Sequence, residues 1–231
     1  KFAYIIPKNI LKTDDYEKYF PTTVLETGHD ILFFWVARMI MMSYELTGEK
    51  PFETVYLHGM VRDEHNRKMS KSMGNALDPL DLIPKYGTDA LRMALVVGST
   101  PGQDMALGES KIKGYRNFTN KIWNASRFVL LRISDGDLAS GEIGTNALKD
   151  LDYDTNLLTD QDKSILKSFE ETKKYVTDKL NTYKFSLAGE KAYEYFWHQF
   201  CDIYIEECKA QLENDQISEN TKKILIKLLS E

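Results

Sequence analysis

The sequence predicts a mixed fold, an α/β part followed by an α-helical bundle, and three observations carry that prediction. All six prolines, at positions 7, 21, 51, 79, 84 and 101, lie among short β-prone runs and helices before residue 150. Residues 156–231 hold no proline and only Gly189, and their apolar residues recur at helical spacing. With 231 residues, 42% of them hydrophobic and 28% charged, the chain can bury one or two cores without a disulfide or metal staple.

The elements follow in order. Gly28–Leu46 reads as a helix opened by Gly28-His29-Asp30, with Ile31, Phe34, Trp35, Arg38 and Met42 recurring along it. Thr54–His58 is a β-prone run with a tight exit at Gly59. Asp78-Pro79 opens another helix with proline at its first position, and Thr88 starts the next after Gly87. A longer helix is expected from Glu109 to Arg132, and the Ser/Gly/Asp-rich stretch Ser134–Gly144 reads as a loop. Helices near 156–182, 184–213 and 217–230 complete the chain. In the second of these, Phe185, Ala188, Ala192, Tyr195, Phe196, Phe200, Ile203 and Tyr204 form a stripe at 3-and-4 spacing. Such a stripe is read as core rather than as a surface for stacking bases.

Composition also excludes several classes. A formal charge of −5 rules out a uniformly basic nucleic-acid coat but leaves room for a local basic site. The longest apolar run, Phe33–Met42, is interrupted by Arg38 and falls short of the roughly 18 residues of a membrane helix, so no membrane partner is expected. Cys201 and Cys208 stand seven residues apart on a helix, about 10 Å, too far for a disulfide. They are expected to pack a helix face in a reducing, cytoplasmic setting. The four histidines, 29, 58, 65 and 198, lack ligand spacing, so no protein-bound metal is expected. There is no signal peptide and the first residue is Lys1, which reads as a fragment of a longer chain.

The chemistry is concentrated in Arg62–Asp81. Lys68-Met69-Ser70-Lys71-Ser72 follows directly on a strand, Gly74 lends freedom, and a helix begins a few residues later. Ligands of open α/β sheets bind beyond the carboxyl ends of strands, and two mobile ammonium groups there are suited to a nucleotide triphosphate. By charge alone this segment would be a solvated basic loop. The whole string, however, is the KMSKS signature of class I aminoacyl-tRNA synthetases, and Gly74-Asn75 extends it. Thr27-Gly28-His29-Asp30-Ile31 and the residues on to Met39 resemble a segment of the valyl-tRNA synthetases, as do Val55–Gly59, Gly87–Arg92 and Gly114–Phe128. Residues 155–210, with Phe196-Trp197-His198-Gln199-Phe200-Cys201-Asp202, resemble the anticodon-binding helical domain of the valine, isoleucine, leucine and methionine enzymes.

That resemblance implies the second half of a Rossmann-like nucleotide fold over residues 1–106, a stem-contact helix and loop over 107–150, and an anticodon-binding bundle, incomplete, over 151–231. It implies a cytoplasmic monomer acting on valine, on ATP with its Mg²⁺, and on tRNA(Val). The valine carboxylate attacks the α-phosphorus of ATP in line. Lys68 and Lys71, with the Ser70 and Ser72 hydroxyls, then stabilise the departing pyrophosphate. No covalent enzyme intermediate is needed, so positioning and electrostatics supply most of the rate. His58 and Gly59, with the backbone of Met60 and Val61, are expected on the adenine side, where Gly59 would let a flat ring approach the main chain. Asp30 alone reads as a helix N-cap; the resemblance has it receive a ribose hydroxyl or the substrate ammonium. Ile31 and Trp35, four apart on one helix face, are implied to line a small apolar amino-acid slot. Arg116, Asn117, Asn120, Lys121, Asn124 and Arg127 recur on one polar face of the 109–132 helix and are expected to contact tRNA. Lys163, Lys167, Lys173, Lys174 and Lys179 add basic sites that read equally well as a solvated face.

The family's His-x-Gly-His motif, its editing insertion and its long C-terminal arm do not occur in the sequence, and Tyr4-Ile5-Ile6-Pro7 stands where a Gly-Trp-Pro is expected. The expectation is therefore a C-terminal catalytic segment plus anticodon-binding domain, inactive alone. An isoleucyl or leucyl fragment, a non-catalytic tRNA-binding module and a nucleotidylyltransferase of related fold are the alternatives. Asp30-Ile31 and Trp35 favour valine.

Overall fold

A computed structural model describes residues 13–133 and 152–231. The expectations for residues 1–12, for the Ser134–Gly144 loop and for the boundary at 150 lie outside the described residues. The rest divides into two compact units, one of residues 13–76 and 99–107, the other of 77–98, 108–133 and 152–231. Residues 77–98 thus pack with the helices rather than with the strands.

In the first unit a short helix α1 (Asp14–Tyr19) leads into β1 (Thr22–Gly28), which pairs in parallel with β2 (Phe52–His58), from Thr22 opposite Phe52 to Gly28 opposite His58. β1 is absent from the sequence reading, which starts a helix at Gly28. Thr22, Thr23 and Val24 are β-branched and favour the extended chain, so the strand runs through Gly28. The crossover is a 3₁₀ turn (His29–Ile31), a π turn (Leu32–Val36) and then α2 (Ala37–Thr47), closed by Gly48 in the left-handed region. This βαβ unit sets the carboxyl ends of both strands side by side. A second parallel pair joins β3 (Val61–Arg62) to β4 (Met105–Ala106).

In the second unit α3 (Pro79–Tyr86) is capped by Asp78, whose carboxylate accepts the Leu80 N–H at 2.8 Å, with Pro79 at the first position as expected. α4 (Thr88–Val96) and α5 (Glu109–Ile133) follow where the sequence places them. α6 (Asp160–Asn181) begins later than expected. Thr159 and Asp162 form a capping box, and residues 155–157 are a separate 3₁₀ turn. α7 (Phe185–Glu194), a π segment (Tyr195–Tyr204) and α8 (Ile205–Leu212) form one continuous rod, and α9 (Ser218–Ser230) closes the bundle. The core joins Ala125 and Val129 of α5, Ile165 and Phe169 of α6, Tyr195, Phe200 and Tyr204 of the π segment, and Ile224, Leu225 and Leu228 of α9.

Two expected core positions turn outward, since Ile203 is 54% exposed and Ala192 is exposed. Ala192 lies in α7, before the π segment; at Ile203 the i→i+5 bonding takes an extra residue into each turn, and the register drifts so that Cys201, Ile205 and Cys208 point inward. Both cysteines are free and buried, as the packing expectation requires. Burial pushes the Cys201 thiol up to about 11 and the Cys208 thiol up to about 12. A polar chain crosses this core. Tyr204 donates to Asp162 at 2.7 Å, the Thr159 N–H donates to the other Asp162 oxygen at 2.9 Å, and Gln211 links Thr159 to Thr221.

Candidate functional site

The chain makes two polar surfaces of interest, one at the strand ends of the first unit and one on α5 of the second. At the end of β1, Gly28 leaves room for its neighbours. A Cβ there would stand 2.7 Å from Asp30 Oδ1 and 3.7 Å from His58 Cε1, so the carboxylate and the imidazole gather around the bare glycine. The cap position of this turn belongs to Gly28, and Asp30 is exposed inside it, so the N-cap reading of Asp30 is overturned. His58 is no core histidine: its side chain is 44% exposed, Nδ1 lies 2.9 Å from the Gly59 carbonyl oxygen and Nε2 3.3 Å from Glu26 Oε1.

The expectation that Gly59 admits a flat ring is overturned as well. A Cβ on it would fall 1.6 Å from the Gln103 carbonyl oxygen, so the close approach is made by the chain's own backbone before β4 and not by a ring. Met60 is likewise engaged. Its N–H donates to Asp104 Oδ1 at 2.8 Å and its carbonyl accepts from Met105 at 2.9 Å, so neither is open to a base; Val61 pairs with Met105 in the ladder. Asp104 also accepts from Arg62 Nε at 2.6 Å. The Met60 N–H first, then Arg62, and the neighbouring His29, hold the Asp104 carboxyl below its ordinary range.

Beyond β3 the chain turns back tightly. Asn66 adopts a left-handed conformation (φ 60°), the Asp63 N–H donates to the Arg67 carbonyl at 3.0 Å, and Lys68 pairs antiparallel with Arg62. Lys68 is exposed. The backbone of Lys71 lies in a 3₁₀ turn, Lys71–Met73, and its side chain lies outside the described residues. The serine hydroxyls build this turn: Ser70 Oγ accepts the Met73 N–H at 3.2 Å and sits 3.2 Å from Ser72 Oγ. Sequence reasoning missed Asp63. It is buried beneath the loop and accepts hydrogen bonds from His65, Arg67 and Asn75. Its burial opposes ionisation, but the Asn75 and Arg67 hydrogen bonds and the Arg67 charge outweigh it and hold the carboxyl well below the usual range. An Asx turn, signalled by Asp63 shortly before Asn66, was the available clue.

Ile31 and Trp35 are 41% and 52% exposed. They straddle the junction of a 3₁₀ turn and a π turn, so their four-residue spacing is not one α-helical turn. The Arg38 guanidinium lies over the Trp35 ring at 5.8 Å. On α5, Arg116, Asn117, Asn120, Asn124 and Arg127 are exposed, while Ile112, Phe118, Ala125 and Val129 are buried. Lys121 departs from this face. Its ammonium pairs with Asp202 at 2.7 Å and lies 5.3 Å over the Trp197 ring. On α6, Lys173 pairs with Glu231, Lys179 with Asp178 at 2.7 Å and Lys163 with Asp160 at 3.5 Å, whereas Lys167 and Lys174 are exposed.

Residues 5–108 match the family model described as tRNA synthetases class I (I, L, M and V), and residues 162–231 match the anticodon-binding domain of tRNA ligase. The chain belongs to the class I tRNA synthetases, of which it carries a catalytic-domain segment followed by an anticodon-binding domain. Within that class, curated relatives 41–48% identical to it are valine–tRNA ligases. The Mycoplasma mycoides protein is 42% identical over all of this chain and 25% of its own length, the Symbiobacterium thermophilum protein 48% over 87% and 21%, and the Bacillus subtilis protein 44% over 94% and 24%. The chain thus spans about a quarter of the length of the curated relatives it matches. Among solved structures, Mycobacterium tuberculosis methionyl-tRNA synthetase in complex with methionyl-adenylate superposes with a TM-score of 0.70 at 19% identity, over 97% of this chain and 42% of that one. The ternary LeuRS–tRNA–LeuAMS complex of Agrobacterium radiobacter K84 gives 0.65 at 19%, over 91% and 26%. These likenesses establish the mixed α/β and helical fold. Among the described residues no helix is long and apolar enough to cross a membrane.

Proposed function

We propose that this chain supplies the KMSKS side of the valine-activating site, and a tRNA-docking surface, of a valyl-tRNA synthetase acting as a cytoplasmic monomer. The observation that carries the reading is the string Lys68–Ser72, held on a tight return from β3 in the unit whose strand ends gather Asp30 and His58. ATP arrives with its Mg²⁺, and the valine carboxylate attacks the α-phosphorus. As that bond forms and the bond to the bridging oxygen breaks, negative charge grows on pyrophosphate. Lys68 and Lys71 meet that charge as point cations, favoured because they bind the transition state more strongly than the ground state. Asp30 accepts a hydrogen bond from the ribose or from the substrate ammonium, His58 borders the adenine, and Ile31 and Trp35 line the side-chain slot. The adenylate then passes its acyl group to the terminal ribose of tRNA(Val), whose body is held by Arg116, Asn120, Asn124 and Arg127.

The test is a chimera in which this chain replaces the matching segment of the Bacillus subtilis relative. Valine-dependent ATP–pyrophosphate exchange is expected in the chimera and not in the 231-residue chain alone. Lys71→Ala is expected to lower exchange by roughly 10²–10³, the scale of one lost transition-state contact, with valine affinity hardly changed. An unchanged rate in that variant removes the catalytic assignment and leaves a tRNA-binding module.

A further inference from the structure

Asp63 is a buried carboxylate at the foot of a loop in which Glu64, Arg67 and Lys68 are exposed. Its Oδ1 accepts the His65 N–H at 3.1 Å and the Arg67 N–H at 2.7 Å; its Oδ2 accepts Arg67 Nε at 2.8 Å and Asn75 Nδ2 at 3.0 Å, with Arg67 Nη2 at 2.8 Å. A carboxylate offers about four lone-pair sites, and these donors fill them. Asp63 is therefore satisfied within the chain, leaving it nothing with which to hold a metal ion or take a proton from a substrate.

The donors come from both ends of the lysine segment. Arg67 immediately precedes Lys68, whereas Asn75 lies 12 residues beyond Asp63, past the 3₁₀ turn. Asn75 then spends its remaining groups on the same segment: its side-chain oxygen accepts the Ser70 N–H at 3.0 Å and its amide donates to the Lys68 carbonyl at 3.2 Å. A hairpin turn alone would need Asp63, His65 and Arg67 but not Asn75. The second contact closes residues 63–75 into a ring with Lys68 and Ser70 tied from within. Arg67, forked onto one oxygen, is neutralised inside that ring, so of two adjacent cations the arginine is structural and Lys68 is left exposed.

We propose that Asp63 is the positioning residue of the KMSKS loop, bracing it through Arg67 and Asn75 so that Lys68 and the Lys71–Met73 turn are presented ready for the phosphates. This inference rests on the functional reading above, but the brace itself is measurable without it. In the ¹⁵N-labelled 231-residue chain, the Ser70 and Arg67 backbone N–H groups and Arg67 Nε–H are expected to be protected from exchange with water. Asp63→Asn keeps the size but turns an amide toward the other donors. It should lower that protection about tenfold or more at Ser70 as well as at Arg67, while α5 and α9 amides are unmoved. Asn75→Ala should do the same at Ser70, whose N–H it accepts, and serves where Asp63→Asn proves unfolded. Ser70 protection surviving in both variants overturns the brace.

In the chimera, Asp63→Asn should lower the maximal exchange rate about tenfold with the valine KM unchanged, and should add nothing once Lys68 and Lys71 are alanine. An additive loss in that background means Asp63 only stabilises the fold, which overturns the positioning role. Should Lys71→Ala leave exchange untouched while Ser70 loses protection in Asp63→Asn, the functional reading fails and the brace stands.

Discussion

At the scale of single residues, motif and cause separate. Gly59 stands out in the sequence as the glycine that ends a strand, but the reason for it is invisible there, because the atom that needs the space belongs to Gln103, 44 residues on in the chain. Gly59→Ala would drive its methyl to 1.6 Å from a backbone carbonyl that has no rotamer to yield. Overpacking of this kind costs about 1–3 kcal/mol and at backbone contacts more, so a drop of at least that size is expected in urea unfolding of the first unit. Asp63 was hidden for a similar reason: a lone acid has no periodicity, and its second partner, Asn75, becomes a neighbour only when the loop closes. Trp35 was legible through family resemblance, and in this chain it stands 52% exposed. In the chimera, Trp35→Ala is expected to weaken discrimination of valine from isoleucine, an extra methylene being worth about 1–3 kcal/mol. If stability falls while the valine-to-isoleucine ratio of exchange rates holds, Trp35 is packing and the slot lies elsewhere.

At the scale of elements, helices announced themselves where local chemistry decides and failed where hydrogen bonding changes period. Asp78-Pro79 and Gly87-Thr88 mark α3 and α4 through capping and proline chemistry that operates within four residues. The rod from Phe185 to Leu212 kept its length but not its inward face, since a 3.6-residue pattern cannot register ten residues of π helix. What the pattern assigned to Ile203 fell to Cys201, Ile205 and Cys208. The exchange has a pH consequence. In the unfolded chain thiols ionise near the ordinary pH of about 8.5, whereas burial keeps Cys201 and Cys208 neutral up to about 11 and 12. Rising pH therefore releases protons from the unfolded state first. Stability is held in full below about pH 8.5 and declines between there and about 11, by roughly 1.4 kcal/mol per pH unit for each thiol. Urea midpoints of the second unit at pH 8 and 10 check this, and Cys208→Ala should remove one thiol's share of the slope. An identical slope in that variant places the alkaline loss on other groups.

At the scale of the whole molecule, the net charge of −5 and the proposed tRNA surface pull in opposite directions, and local arrangement decides between them. Nonspecific attraction to a polyphosphate depends on how many phosphates are neutralised at once, and a chain with 35 acidic against 30 basic side chains offers little overall. On α5 the balance is different, since Arg116 and Arg127 stand exposed with Asn117, Asn120 and Asn124 between them, presenting charge and hydrogen-bond donors along one polar face. Lys121 looked equivalent in the sequence; its pairing with Asp202 makes it a strut between α5 and the π segment instead. The 231-residue chain is thus expected to bind valine tRNA weakly, with affinity falling steeply as salt rises. Arg116→Ala and Arg127→Ala should each reduce the slope of log affinity against log salt by about 1, as a lost phosphate contact does. Lys121→Ala should change that slope by less than either arginine and lower the stability of the second unit, because what it loses is an internal ion pair. Titrations with valine tRNA and a non-cognate tRNA at two salt concentrations check each part. A Lys121 variant that loses as much salt slope as the arginine variants would show that RNA draws the lysine away from Asp202. Equal affinity for the two tRNAs would leave α5 a general RNA-binding face with no part in choosing the cognate molecule.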